Sequence, residues 1–410
     1  MIFPVEHHRQ VSFEGSTLSL PIYLDYPAST PLDDEVAAAM VTAVKESSGN
    51  PHSSTHHFGH QARHSIEQAQ AHIAKLIHAR PHEIIFTSGA TEANNLALLG
   101  FVRAASGARH VISVETEHEA VLQPLKYLSK HEGIALTLMQ VDENGLIDLK
   151  DLEKAIRPET ILVSVMAVNN ETGVRQDISS IGRICAERNI AFHCDAAQAL
   201  VTERLDVIED GITLLSLSGH KIYGPMGIGA LYIKEGTKIA PLFHGGGQQR
   251  DLRPGTLPTA LCVGLGEACR IANENRERDA QHVGQLRTVF IDALRKRLGE
   301  EFRLNGNMAP HIPGCISMTF VGLDAEDLLH ELPDLALSTG SACGSMKSES
   351  SHVLRAMGLS AEEVAATVRM GIGRPTSFED VQYAAQQIAG ASRRTRKSFE
   401  GSLDIRHEGS

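Results

Sequence analysis

The chain has 410 residues, of which 42% are hydrophobic and 21% charged. That is enough for two or three domains and excludes a disordered, collagen-like or coiled-coil chain. Lys and Arg total 38 against 50 Asp and Glu, a net charge of −12, which argues against a polyphosphate backbone as partner, so no direct nucleic-acid binding is expected.

The first ten residues lack an apolar core followed by a small-residue cleavage site, so no secretory signal is expected and a cytoplasmic location is. Apolar runs such as 161–168 are far shorter than the roughly 18–20 residues that span a bilayer, so no membrane association is expected. From Glu83 onward, short β-rich runs alternate with stretches of helical period, the pattern of a mainly parallel sheet covered by helices, hence an α/β class. Strands are predicted at 84–87, 110–114, 135–140, 161–167, 191–194, 214–217 and 228–233, with helices starting near Thr91, His118, Asp148, Asp177 and Ala197. A charged helical pattern over 273–298 breaks the alternation and reads as a connecting helix into a smaller α+β domain with a strand near 317–320.

Six cysteines are thinly spread with no C-x-x-C pair, so neither a disulfide framework nor a zinc knuckle is expected. Five sit in apolar segments and read as small buried hydrophobes, whereas Cys343 lies in Ser341-Ala342-Cys343-Gly344-Ser345, where small neighbours leave it open to a substrate. The Gly/Ser-rich stretch 338–351 reads as a mobile functional loop. His52, His56, His57, His60 and His64 include an i, i+4 pair, but no carboxylate or cysteine accompanies them at ligand spacing, and no metal site is expected.

Three segments carry chemistry together. Ser218-Gly219-His220-Lys221 delivers a lysine to the end of a buried strand, where a desolvated amine loses its proton more readily and can condense with an aldehyde. Alone, a surface lysine in a turn is the commoner reading. His193-Cys194-Asp195-Ala196-Ala197-Gln198 ends another strand with a carboxylate, either a helix N-cap or a partner for a protonated pyridine nitrogen, with Gln198 placed to donate to a ring oxygen. Thr87-Ser88-Gly89-Ala90-Thr91-Glu92 is a strand, a small-residue turn and a helix start, which suits an anion such as phosphate.

These residues resemble the fold-type I pyridoxal-phosphate enzymes of class V, and among them the cysteine desulfurases of iron–sulfur cluster assembly with a long catalytic-cysteine loop. The resemblance runs from about Tyr23 to Arg374 through Leu24-Asp25-Tyr26, Gly49-Asn50-Pro51, residues 86–92, Thr116-Glu117-His118, Val168-Asn169-Asn170-Glu171-Thr172-Gly173, residues 195–198 and 218–225, Arg253-Pro254-Gly255-Thr256 and Gly340-Ser341-Ala342-Cys343. It implies a large cofactor-binding domain over 30–275 with a mainly parallel seven-stranded sheet, and a smaller α+β domain from 1–29 and 276–410 carrying the cysteine loop.

By the same resemblance Lys221 is the Schiff-base lysine, Asp195 the partner of the pyridine nitrogen, Gln198 the ring-oxygen donor and His118 the imidazole over the ring. For His118, stacking alone and proton transfer both stay open. Thr91, Ser218 and His220 match the phosphate ligands. Thr256 matches a phosphate contact from a second subunit, which implies a homodimer. Asn170 and Arg369 match the pair that holds the substrate carboxylate, a task that suits a guanidinium. The implied reaction removes sulfur from L-cysteine to give L-alanine and a persulfide on Cys343, destined for a protein acceptor such as a cluster scaffold or a thiolation protein. The alternatives are a selenocysteine lyase or another class V enzyme. A nicotinamide enzyme is disfavoured because no G-x-G-x-x-G turn follows the first strand.

Overall fold

The computed structural model describes residues 9–306, 308–339 and 351–407. The chain forms two compact units, one of Ser29–Asn170 with Val174–Glu277, the other of Met1–Ala28, Glu171–Gly173 and Arg278–Ser410. The short excursion Glu171–Gly173 into the second unit is announced by no composition or spacing signal.

The larger unit is built on a seven-stranded sheet in the order Ile84–Thr87, Gly229–Ile233, Leu214–Ser218, Ala191–Asp195, Thr160–Ser164, His110–Val114 and Ala135–Met139. Only Gly229–Ile233 runs antiparallel to its neighbours. The strands are continuous apolar runs because helices cover both faces; His110–Val114, Leu214–Ser218 and Gly229–Ile233 are buried at every residue. Leu98, Val102, Val121, Leu125 and Leu128 pack with Val111 and Leu162, and each fully buried Leu or Val stabilises by about 1.5–3 kcal/mol. The edge strand Ile84–Thr87 is protected by Gln249, whose side chain accepts from Phe86 N at 2.7 Å and donates to Phe86 O at 3.0 Å, imitating a neighbouring strand.

Each expected strand of this sheet is present within a few residues of its predicted bounds. The helix expected near Ala197 is absent: residues 197–202 form turns, in which Ala199 N bonds Ala196 O at 3.1 Å and Glu203 N bonds Ala199 O at 2.9 Å. Asp195 Oδ1 accepts from Ala197 N at 3.0 Å, an N-cap-like bond that here starts a turn instead of a helix.

The smaller unit holds an antiparallel four-stranded sheet, Phe302–Leu304, Cys315–Phe320, Thr367–Gly371 and Ser338–Thr339. Strand alternation sends Ile316, Met318, Phe320, Val368 and Met370 into a core with Leu286, Phe290 and Leu294 of the 40-residue helix Thr259–Leu298, and with Val381, Ala384 and Ile388 of Phe378–His407. Among the described residues no helix is long and apolar enough to cross a membrane.

The helix Ile178–Glu187 docks on the turn at Asp206–Asp210 through Gly182, where an added Cβ would lie 1.8 Å from the Asp210 carbonyl oxygen. Ser179 Oγ also donates to Asp210 Oδ1. Gly182→Ala forces this backbone contact apart and is expected to lower stability by about 1–3 kcal/mol or more. A urea midpoint equal to that of the wild type would refute the close packing.

Candidate functional site

Parallel strands that end on one side of a sheet place their following loops together, the usual location of ligands in α/β folds. Here the carboxyl ends of His110–Val114, Thr160–Ser164, Ala191–Asp195 and Leu214–Ser218 do so, in pairwise register such as Asp195 opposite Ser216. Gly229 pairs with Ser218 on one side and Thr87 on the other, which fixes these two positions across a single residue. A Cβ on Gly229 would lie 2.5 Å from Leu217 O and 2.7 Å from Gly89 Cα, so the missing side chain lets the turn at Gly89 lie over the sheet.

That turn opens the helix Ala90–Ala104. Its N-cap, Gly89, has φ +152° and supplies no side-chain cap, so the first-turn N–H groups have no side-chain acceptor from that residue. A Cβ on Gly89 would face Ser218 Oγ at 3.9 Å. Thr91 is exposed and His220 partly buried, in the short 3₁₀ turn Gly219–Lys221. Burial, and then the charge of Lys221, pushes His220 down to about 4, which leaves a neutral imidazole at pH 7. Its Nδ1 lies 3.3 Å from Ser29 Oγ. An uncapped helix start, a hydroxyl across from a glycine and a neutral ring fit a phosphate group.

Ser88 N donates to Glu92 Oε2 at 2.7 Å, and Arg253 Nε donates to Glu92 Oε1 at 3.0 Å. Burial pushes the Glu92 carboxyl up, but these bonds outweigh it and hold the group below its ordinary value. Arg253 thereby ties the segment leading to Thr256 to the turn. Thr256 is exposed and lines an open cleft with Asn50 and Pro51.

Asp195 is only 4% exposed. Its Oδ1 accepts from Ala197 N, and its Oδ2 accepts from Asn94 Nδ2 at 2.7 Å. Asn94 lies on Ala90–Ala104, three residues after Thr91, so one helix serves both the anion turn and the carboxylate. Glu117 is fully buried and accepts from Met166 N at 2.5 Å; burial and then the charge of Asp195 push its carboxyl well above the ordinary range. His118 caps Glu119–Glu132, Nδ1 accepting from Ala120 N at 3.0 Å. Gln198 and Lys221 are partly buried.

Asn170 is partly buried in the turn after the Val168–Arg175 bridge, and Asn169 anchors that turn through Nδ2 to Thr116 O at 2.9 Å. In the smaller unit Arg369 lies opposite Ser317 and Ser338 in register, on the face away from Val368 and Met370, yet it is only 2% exposed. Asp25 Oδ1 accepts from Arg369 Nη2 at 2.9 Å and from Ser338 Oγ at 3.1 Å, which fixes the guanidinium. Cys343 lies outside the described residues. Of the histidines considered for metal, His56 caps His57–Ile77 through Gly59 N, and His60 Nε2 lies 3.0 Å from Ser54 O, which are structural uses.

The family model for aminotransferase class V matches residues 22–384. The chain belongs to the class-V aminotransferase family. A cysteine desulfurase IscS of Rickettsia bellii (strain OSU 85-389) is 46% identical over 376 residues, 91% of this chain and 91% of that protein. Among solved structures, a NifS-like protein superposes with a TM-score of 0.83 at 32% identity, covering 90% of this chain and 98% of its own. A structure described as SspA in complex with cysteine superposes with a TM-score of 0.76 at 37% identity, covering 86% and 98%. The class-V fold, an α/β large sheet with helices on both faces, is therefore the fold of this chain.

Asn94, Glu117 and Asp25 are the residues that sequence reading left without a role. Glu117 and Asp25 stand inside segments that carried the resemblance, and Asn94 is a polar residue amid Ala93, Leu96 and Ala97 on a buried helix face.

Beside Asp195, His193 is fully buried between Ser164 Oγ at 2.8 Å and Ser216 Oγ at 3.1 Å, and burial pushes it down to about 4 against the opposing pull of Asp195. The folded state keeps the ring neutral while the unfolded chain takes a proton near pH ~6.5, so the stability it contributes is present above that pH and is lost as pH falls toward about 4. His193→Gln, which retains a donor and an acceptor, is expected to make the acid limb shallower by up to about 1.4 kcal/mol per pH unit. Urea unfolding at a series of pH values checks this; an unchanged slope would show that His193 does not titrate on unfolding.

Proposed function

We propose that the chain is a pyridoxal-phosphate-dependent cysteine desulfurase: it removes sulfur from L-cysteine, releases L-alanine and leaves a persulfide on Cys343 for an acceptor protein. The observation that carries this reading is one end of the sheet that combines an uncapped helix start facing Ser218, a buried carboxylate at Asp195, and Lys221 in the turn after Ser218. The cysteine desulfurase relative that spans 91% of the chain supports it.

In this reading Thr91, Ser218, His220 and the first-turn amides of Ala90–Ala104 would hold the phosphate, Asp195 the pyridine nitrogen, Gln198 the ring oxygen and Lys221 the aldehyde. When bound, the cofactor supplies an aldehyde for amines and a sink for the electron pair of the substrate α-carbon. Lys221 Nζ would take the α-proton of the substrate. Arg369, fixed by Asp25, would hold the substrate carboxylate. The thiolate of Cys343 attacks the substrate sulfur: an S–S bond forms, the C–S bond breaks with its electron pair left on carbon, and that carbon gains a proton on the way to the methyl group of alanine. In this reading His118 passes that proton, an imidazole being suited to proton transfer near neutral pH.

A second copy of the chain, with Thr256 reaching its phosphate site, and a cytoplasmic location belong to the same reading. The exposure of Thr256 supports the first of these.

The protein loaded with pyridoxal phosphate is expected to be yellow, and borohydride to fix the label on Lys221. Cys343→Ala is expected to keep the colour while alanine and sulfide formation from L-cysteine fall by about 100-fold or more. A colourless wild type, or a Cys343→Ala variant that still forms alanine at the wild-type rate, would sink the proposal.

A further inference from the structure

We propose that Asn94 is a positioning residue that locks the carboxylate of Asp195 to the helix that opens at the anion turn, and so sets the orientation of the acid toward the cofactor ring. The inference rests on the functional reading above and goes beyond it, because Asn94 itself need touch neither cofactor nor substrate.

Three observations carry it. Asn94 is completely buried, and its Nδ2 reaches Asp195 Oδ2 at 2.7 Å, the short distance of a charge-assisted hydrogen bond. Its other polar atom, Oδ1, is buried with no hydrogen-bond partner among the described residues. An apolar side chain would avoid both that loss and the poor helix propensity of Asn, so packing alone does not account for Asn here. The placement supplies the reason. With Ala197 N on Oδ1 and Asn94 Nδ2 on Oδ2, both carboxylate oxygens are pinned, and rotation of the carboxylate breaks a bond. Each oxygen retains one acceptor direction for a ligand. Because Thr91 and Asn94 stand one helical turn apart on Ala90–Ala104, the spacing between phosphate anchor and ring acid is set by helix geometry rather than by a flexible side chain.

Glu117, from the loop after His110–Val114, and His193 and Cys194 of its own strand interact electrostatically with Asp195. None of them is a cation at neutral pH: burial pushes the Glu117 carboxyl and the Cys194 thiol up and the His193 imidazole down.

The test titrates pyridoxal phosphate onto apo protein, followed by the visible band, for wild type, Asn94→Leu and Asn94→Asp between about pH 9 and about pH 6. Asn94→Leu is expected to weaken cofactor binding by about 10-fold or more at every pH, with KM for L-cysteine retained and kcat reduced. Asn94→Asp opposes two carboxylates at high pH and is expected to bind weakly there. As pH falls a shared proton restores a donor, and affinity is expected to recover toward wild type. A loss in Asn94→Asp that is the same at every pH would assign Asn94 to helix packing alone and overturn the proposal, as would wild-type affinity in both variants. A wild type that takes up no pyridoxal phosphate overturns the functional reading itself, and this inference with it.

Discussion

A carboxylate buried at the end of a strand is costly unless donors meet it, and the arrangement around Asp195 follows from that constraint. At 4% exposure, Asp195 is met by one amide from the turn that follows it and one from a helix of different origin. Its field then acts on its neighbours. It reinforces burial at Glu117 and Cys194, pushing both up, and opposes burial at His193, where burial wins and the imidazole is held at about 4. Asp195 is thereby set among groups whose ionised forms the same packing disfavours. A cationic ring nitrogen would find there a single strong acceptor.

The sheet supplies the geometry that makes this useful. Gly229, on the one antiparallel strand, is a spacer between Thr87 and Ser218, and its missing Cβ admits the Gly89 turn. The Gly89 turn is thus held by the close backbone approach at Gly229, by Arg253 through Glu92, and by Asn94 through Asp195. In the smaller unit a different device is used. Strand alternation turns Arg369 away from the core, and Asp25 holds it with the help of Ser338.

The strands were legible because a parallel strand covered on both faces is a continuous apolar run bounded by polar turns; His110–Val114 and Leu214–Ser218 are such runs. The candidate residues at strand ends were legible for the complementary reason, since Asp195 and Lys221 interrupt apolar sequence where a chain would normally turn to solvent. The helix expected at Ala197 failed because local propensity there is overridden by the Asp195 side chain on Ala197 N and by turns closed at Ala196 and Ala199. The amino-acid sequence shows no role for Asn94 and Glu117 because their partners are 101 and 49 residues away, and a pairing of that kind exists only once the sheet has formed.

The remaining cysteines bear on which sulfur can act. Cys185 and Cys262 are pushed up to about 12 by burial, and Cys194 and Cys269 are raised as well, so all four are thiols at neutral pH and poor nucleophiles. Cys315 is the informative case. Arg369 and Arg287 both pull its thiol down, yet burial outranks them and it is held at about 11. A nearby guanidinium therefore does not suffice to make a thiolate inside this packing. Cys343 differs from these five in its sequence neighbours, Ser-Ala-Cys-Gly-Ser, which carry little apolar bulk.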